Sequence, residues 1–181
     1  MRKNQWASGL LLTVWGLGLG ASAAMAAPAL PAPVKAHIAD MRAQCKDVGG
    51  RPERSPRLLQ TADITGDGRA DYVINEGEFD CDGAASHFSG GSGGASVSVY
   101  VSDAAGSAKQ AFTHGVSGVY LERSGQTARV WLGVGGPLCG QTQFRSRAEA
   151  EVCWRPLQWK GGKLDFAPVS QKRPYSAFAK P

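Results

Sequence analysis

The sequence predicts a mostly β domain of the α+β class. One N-terminal helix packs on a meandering antiparallel sheet, and two disulfides hold the structure. Three observations predict this. Residues 95–101 alternate small or polar with apolar side chains, the period of a half-buried strand. Two pairs of apolar runs flank Gly-containing turns, the mark of hairpins. A single stretch near the N-terminus carries helical periodicity, in a chain with four cysteines.

The helix is expected over 34–45, where Val34, Ile38, Met41 and Cys45 fall on one stripe and Gly49-Gly50 ends it. Residues 27–33 are Ala- and Pro-rich and read as a flexible lead-in. Residues 51–60 are basic and interrupted by proline, and read as loop. Short strands are expected at 57–61 and 72–75, then at 95–101 with a return at 108–113. Residues 118–123 and 128–133 form one hairpin around Ser124-Gly125. Residues 152–159 and 163–166 form another around Gly161-Gly162. Pro156 inside a strand suggests an edge or a bulge. The single domain spans 34–168, and 169–181 reads as a polar tail that frays in part.

Residues 1–26 have the organisation of a cleavable signal peptide. Arg2 and Lys3 precede an apolar run from Leu10 to Gly20, and Ala24-Met25-Ala26 supplies the small-residue cleavage site. A membrane anchor would need about 20 apolar residues, and this run is shorter and rich in glycine. The mature chain is therefore expected in the periplasm or outside the cell. Cleavage removes Arg2 and Lys3 and lowers the net charge from +5 to +3. That bias is too weak to argue for nucleic acid. No membrane span is expected after cleavage, and the partner is an unidentified protein or small molecule.

An even number of cysteines in an exported chain reads as disulfides. Four cysteines allow three connectivities. Cys139–Cys153 with Cys45–Cys81 is the favoured set, because the first pair brackets a polar connector between two strand-like runs. No C-x-x-C occurs, which argues against a thioredoxin-like or zinc-ribbon role.

The strongest motif is Asp63-Ile-Thr-Gly-Asp-Gly-Arg-Ala-Asp71. Oxygen-bearing side chains stand at positions 1, 3, 5 and 9, with glycine at position 6. Calcium takes six to eight oxygens on a tightly turned backbone. The expected ligands are Asp63, Thr65, Asp67, the carbonyl of Arg69, and Asp71. Position 12 is Ile74 rather than a bidentate Glu, so the loop is not an EF-hand. It resembles the calcium loops of FG-GAP-type repeats, D-x-[DN]-x-D-G-x-x-D followed by an apolar strand. Thr65 departs from that pattern, which weakens the expected affinity. A metal-free Gly-Asp-Gly turn is the competing reading. One such loop does not imply a propeller, which needs several blades.

A longer resemblance covers residues 63–86, the Cys-Lys-Asp-Val-Gly-Gly start at 45–50 and the Leu157-to-Gly162 end. These are similar to segments of small uncharacterised exported proteins of proteobacteria. The resemblance implies export and a β-rich domain, and carries no activity. In that family two further cysteines often bracket the Gly-rich stretch. Ser89 and Ala95 stand there in this chain.

Other constellations are weaker. Gly90 to Gly94 spells G-x-S-x-G around Ser92, but no strand directly precedes it, as a nucleophile elbow requires. Glu76, Glu78 and Asp80 would share one face if they lay on a strand, as a glycosidase carboxylate pair demands. A solvated acidic face paired with the basic 51–57 segment or the C-terminal segment accounts for the same acids. Trp131, Trp154 and Trp159 suit a sugar-stacking platform or ordinary sheet packing. The function read from the sequence is an exported binding or accessory protein stabilised by calcium. The alternative is a small secreted hydrolase using the 76–82 acids, or Ser92 with His87.

Overall fold

The computed structural model describes residues 29–143 and 145–178. The expected signal peptide lies outside the described residues. Helix α1 runs from Ala32 to Asp47, two residues beyond the expected span at each end. Pro33 is tolerated in its first turn because the N–H it lacks would have no helical partner there. Gly49 ends the helix at φ +81°, and the N–H groups of Gly49 and Gly50 return to the carbonyls of Lys46 and Cys45.

The strands are β1 (Arg51–Pro52), β2 (Leu59–Ala62), β3 (Asp71–Asn75), β4 (Cys81–Asp82), β5 (Ala95–Ser102) and β6 (Ala108–Val116). They continue with β7 (Gly118–Ser124), β8 (Thr127–Gly135), β9 (Val152–Lys160), β10 (Lys163–Phe166) and β11 (Arg173–Pro174). All pair antiparallel, and both expected hairpins form. The chain is mostly β with one helix, as the sequence predicts, but the meander divides. One sheet has the order β2-β3-β5-β6. The other has the order β10-β9-β8-β7, with β11 beside β10 on the same edge of β9. Strands β1 and β4 make a separate ribbon.

The division falls at Ser117, the one residue between β6 and β7, whose N–H donates to the Gly133 carbonyl at 2.8 Å. The chain turns there from one sheet into the other. A side chain on Gly118 would collide with the Trp154 ring, its Cβ 2.8 Å away.

Three layers result. Val73, Val97 and Val99 of the first sheet pack on Val130, Leu132, Leu157 and Leu164 of the second. The other face of the first sheet carries Tyr72, Ile74 and Tyr100 against Val34, Met41 and Cys45 of α1. Full burial of a valine or isoleucine contributes about 1.5–3 kcal/mol, so both interfaces are substantial. Strand β5 is therefore buried on both faces, not half-buried as its alternation suggests. Ser98 tolerates this through hydroxyl contacts with Thr113 and Gln110 at 3.3 Å.

The disulfides pair as favoured. Cys45–Cys81 ties α1 to β4, and Cys139–Cys153 ties a turn to β9. Gly50 is required beside the first, since a Cβ there would lie 2.5 Å from the Cys81 sulfur. Pro156 is neither on a sheet edge nor in a bulge. It faces Trp131 as the last pair of the β8–β9 ladder, and its carbonyl accepts the Ala167 N–H at 2.9 Å.

Candidate functional site

The loop between β2 and β3 is organised by its own aspartates. Asp63 is 8% exposed and accepts N–H groups from Gly66 (2.7 Å), Asp67 (3.2 Å) and Gly68 (2.8 Å). Asp71 is fully buried and accepts from Ile64 (2.9 Å), Thr65 (3.1 Å) and, on its other oxygen, Ser102 (3.0 Å). Gly66 and Gly68 take φ values of +79° and +82°, which turn successive N–H groups inward. Asp67 accepts from the backbone and guanidinium of Arg69. The loop also joins the two sheets. The Asp63 N–H donates to the Gln126 carbonyl at 3.1 Å, and its own carbonyl accepts from Ala128 at 2.9 Å.

Burial pushes the Asp71 carboxyl above its ordinary range. The three N–H donors pull against that, and the charge of Asp67 adds to the push.

A carboxylate offers about four acceptor positions. Asp63 and Asp71 each use three, and Asp67 uses two. Each keeps capacity for a further contact. The Thr65 hydroxyl, at motif position 3, is buried and has no hydrogen-bond partner. Such an oxygen suits a cation, and on that observation the residues fit one. No group of three or more His, Cys, Asp or Glu side chains converges on one point among the described residues. The described carboxylates thus do not form a cage around one point.

The other candidates do not assemble. Glu76, Glu78 and Asp80 are not on a strand: β3 ends at Asn75, and Glu76–Glu78 is a 3-10 turn. Gly77 passes so close to Ala95 that an added Cβ would lie 2.7 Å from the alanine methyl. Three acids of the 76–82 segment point to different bases, and the Asp80 carboxylate has no ion-pair partner among the described residues. Glu76 meets His37 at 3.1 Å, Glu78 meets Arg57, and Asp82 meets Arg51. This is the basic 51–57 segment neutralising the acidic turn. His87 is exposed, with its ring edge-on to Phe88. Gly91–Gly93 is a 3-10 turn, not a strand-to-helix elbow, and the Ser92 side chain lies outside the described residues.

Two clusters escape sequence reasoning. His37 bridges the Tyr100 hydroxyl (2.9 Å) and Glu76, linking helix, sheet and turn. Its Glu–His–hydroxyl order resembles a catalytic relay, but Tyr100 is 6% exposed, so the chain of contacts is a buried clamp. The second cluster involves the C-terminal segment, whose residues 173–178 contact the second sheet. Tyr175 stacks on Trp154, and Phe178 stacks on Tyr120 and meets Trp131 edge-on. These tryptophan faces are covered by the chain itself. The aromatic residues in the tail were the only sequence signal for this.

No known protein family matches the chain, and neither a curated protein nor a solved structure is similar to it.

Proposed function

We propose that the protein is an exported binding or accessory module whose 63–71 loop takes a calcium ion through Asp63, Thr65, Asp67, the Arg69 carbonyl and Asp71. The observation that carries this reading is the buried, unpartnered Thr65 hydroxyl at the third ligand position. An unpaired buried hydroxyl costs about 1–3 kcal/mol, and a bound cation would relieve that cost. Two disulfides support an oxidising destination, in agreement with the signal-like N-terminus. No helix among the described residues is long and apolar enough to cross a membrane.

The hydrolase alternative gains no specific support, because Glu76, Glu78 and Asp82 are each engaged by a basic side chain. Calorimetric titration of the metal-stripped protein with calcium tests the proposal. A one-site isotherm that disappears in Thr65→Val is expected. A flat titration at millimolar calcium removes the ion.

A further inference from the structure

Strand β8 outruns β7. The β7–β8 ladder begins at Gly118↔Gly133, whereas β8 continues to Gly135, beside Val152 of β9. The Gly136 N–H donates to the Glu151 carbonyl at 2.9 Å, on the β9 side. Successive residues of an antiparallel strand hydrogen-bond to alternate sides. The Gly135 N–H and C=O therefore point away from β9, into space that β7 does not reach. A cleft of about 380 Å³ occupies that space, with Gly94 and His114, at the end of the first sheet, across from Gly135. Its volume lies within the roughly 300–1,000 Å³ range of small-ligand sites. The next carbonyl facing this way along β8, that of Gly133, is already taken by the Ser117 N–H at 2.8 Å. A strand added to this edge has one residue opposite Gly135 and must end or turn at Ser117.

The chemistry of the cleft selects what fits there. A free N–H and C=O on one residue match the C=O and N–H of one residue in an extended peptide. Gly135 also has no side chain to cover its cross-strand neighbour Val152, which is 43% exposed. A residue paired with Gly135 directs its side chain to that same face. An aromatic ring there reaches across the glycine to Ala150 and Val152, which line the cleft. No carboxylate belongs to the described lining. His114 is its one ionisable side chain, exposed and without a hydrogen-bond or ion-pair partner among the described residues. The adjacent acid, Glu151, is paired with Lys172 at 2.6 Å. A negative group therefore meets no repulsion. A strand added antiparallel to β8 runs as β7 does, so its C-terminal end meets Ser117 and His114.

We infer that this cleft captures the C-terminus of an extended polypeptide, with an aromatic last residue paired to Gly135 and its carboxylate at Ser117 and His114. The inference goes beyond the ion site, since the cleft shares no residue with the 63–71 loop.

The experiment uses the folded, disulfide-bonded protein and acetyl-trialanyl-phenylalanine in three forms: the free acid, the C-terminal amide, and the free acid methylated on its last backbone nitrogen. Calorimetry and backbone amide shifts in NMR report binding. Saturable binding of the free acid is expected, with the Gly135 amide among those shifted. Amidation and N-methylation should each weaken it about tenfold, the worth of about one hydrogen bond. His114→Gln should weaken the free acid and leave the amide form unchanged. Val152→Ser should remove the preference for phenylalanine over alanine at the last position. Absence of binding by the free acid at millimolar concentration overturns the inference, and so does equal binding of all three forms. Calcium titration of the same sample keeps the two proposals apart. An ion isotherm without peptide binding removes the cleft alone, and peptide binding without an ion isotherm removes the ion alone.

Discussion

The Asp71 carboxylate sits on the N–H of Ser102 at 3.0 Å, while the Ser102 hydroxyl donates to the Ala70 carbonyl at 2.6 Å. The end of β5 thereby closes the exit of the 63–71 loop. Asp71→Asn would turn an amide N–H toward backbone donors on at least one side. Hydrogen bonds to charged groups contribute about 1.5–3 kcal/mol each, so a loss of roughly 2–4 kcal/mol is expected. Urea denaturation measures it, and an unchanged midpoint would show that the loop is not held by this carboxylate.

Thr65→Val separates the two readings of the loop. Without an ion, valine removes a buried hydroxyl that has no partner. The metal-stripped variant should then be more stable than the parent by about 1 kcal/mol, or roughly 2–4 °C in Tm. In calcium the order should reverse. Melting curves in both conditions provide the check, and a variant less stable in both would show that the hydroxyl has another role.

Acid should loosen the C-terminal segment where Arg173 meets Glu122, while the stacked aromatics hold the rest. The indole N–H of Trp131, and then Arg173, hold the Glu122 carboxyl below the ordinary carboxylate range. A carboxylate with a depressed folded-state value stabilises the fold above the unfolded value, about 4.3 for Glu. That contribution is lost as pH falls through the depressed value. Tryptophan emission should shift to the red below about pH 4, and Glu122→Gln should abolish that step. Phe178→Ala should expose the same indoles at neutral pH, at a cost of about 1–3 kcal/mol.

Cys139 and Cys153 close a short loop, with a sequence separation of 14. Replacing both by alanine should cost about 3 kcal/mol in the chain-entropy model, measurable as a shift in the urea midpoint. Both side chains are buried, at 0% and 1% exposure, so alanine introduces no new polar group.

Local pattern made the elements legible, whereas the partners of those elements were not. Alternation marks β5, and the Gly turns mark both hairpins. Nothing in residues 116–118 announces that the sheet splits there. That depends on Gly118 fitting under Trp154, a contact between residues 36 positions apart. The acids at 76–80 looked like one strand face because alternation implies a shared side, but Gly77 against Ala95 forces a turn instead. The aspartates of the 63–71 loop were legible as a group. Their attachment to backbone N–H groups was not, because a carboxylate that organises a turn and one that awaits a cation have the same spacing in sequence.

The central claim is tested most directly by the Tm of the metal-stripped protein in millimolar calcium against EDTA. A ligand at a hundred times its Kd stabilises by about 2.7 kcal/mol, so a rise of several degrees is expected with calcium and a return to baseline with EDTA. Coincident melting curves in the two solutions would contradict the account and leave the loop a metal-free turn.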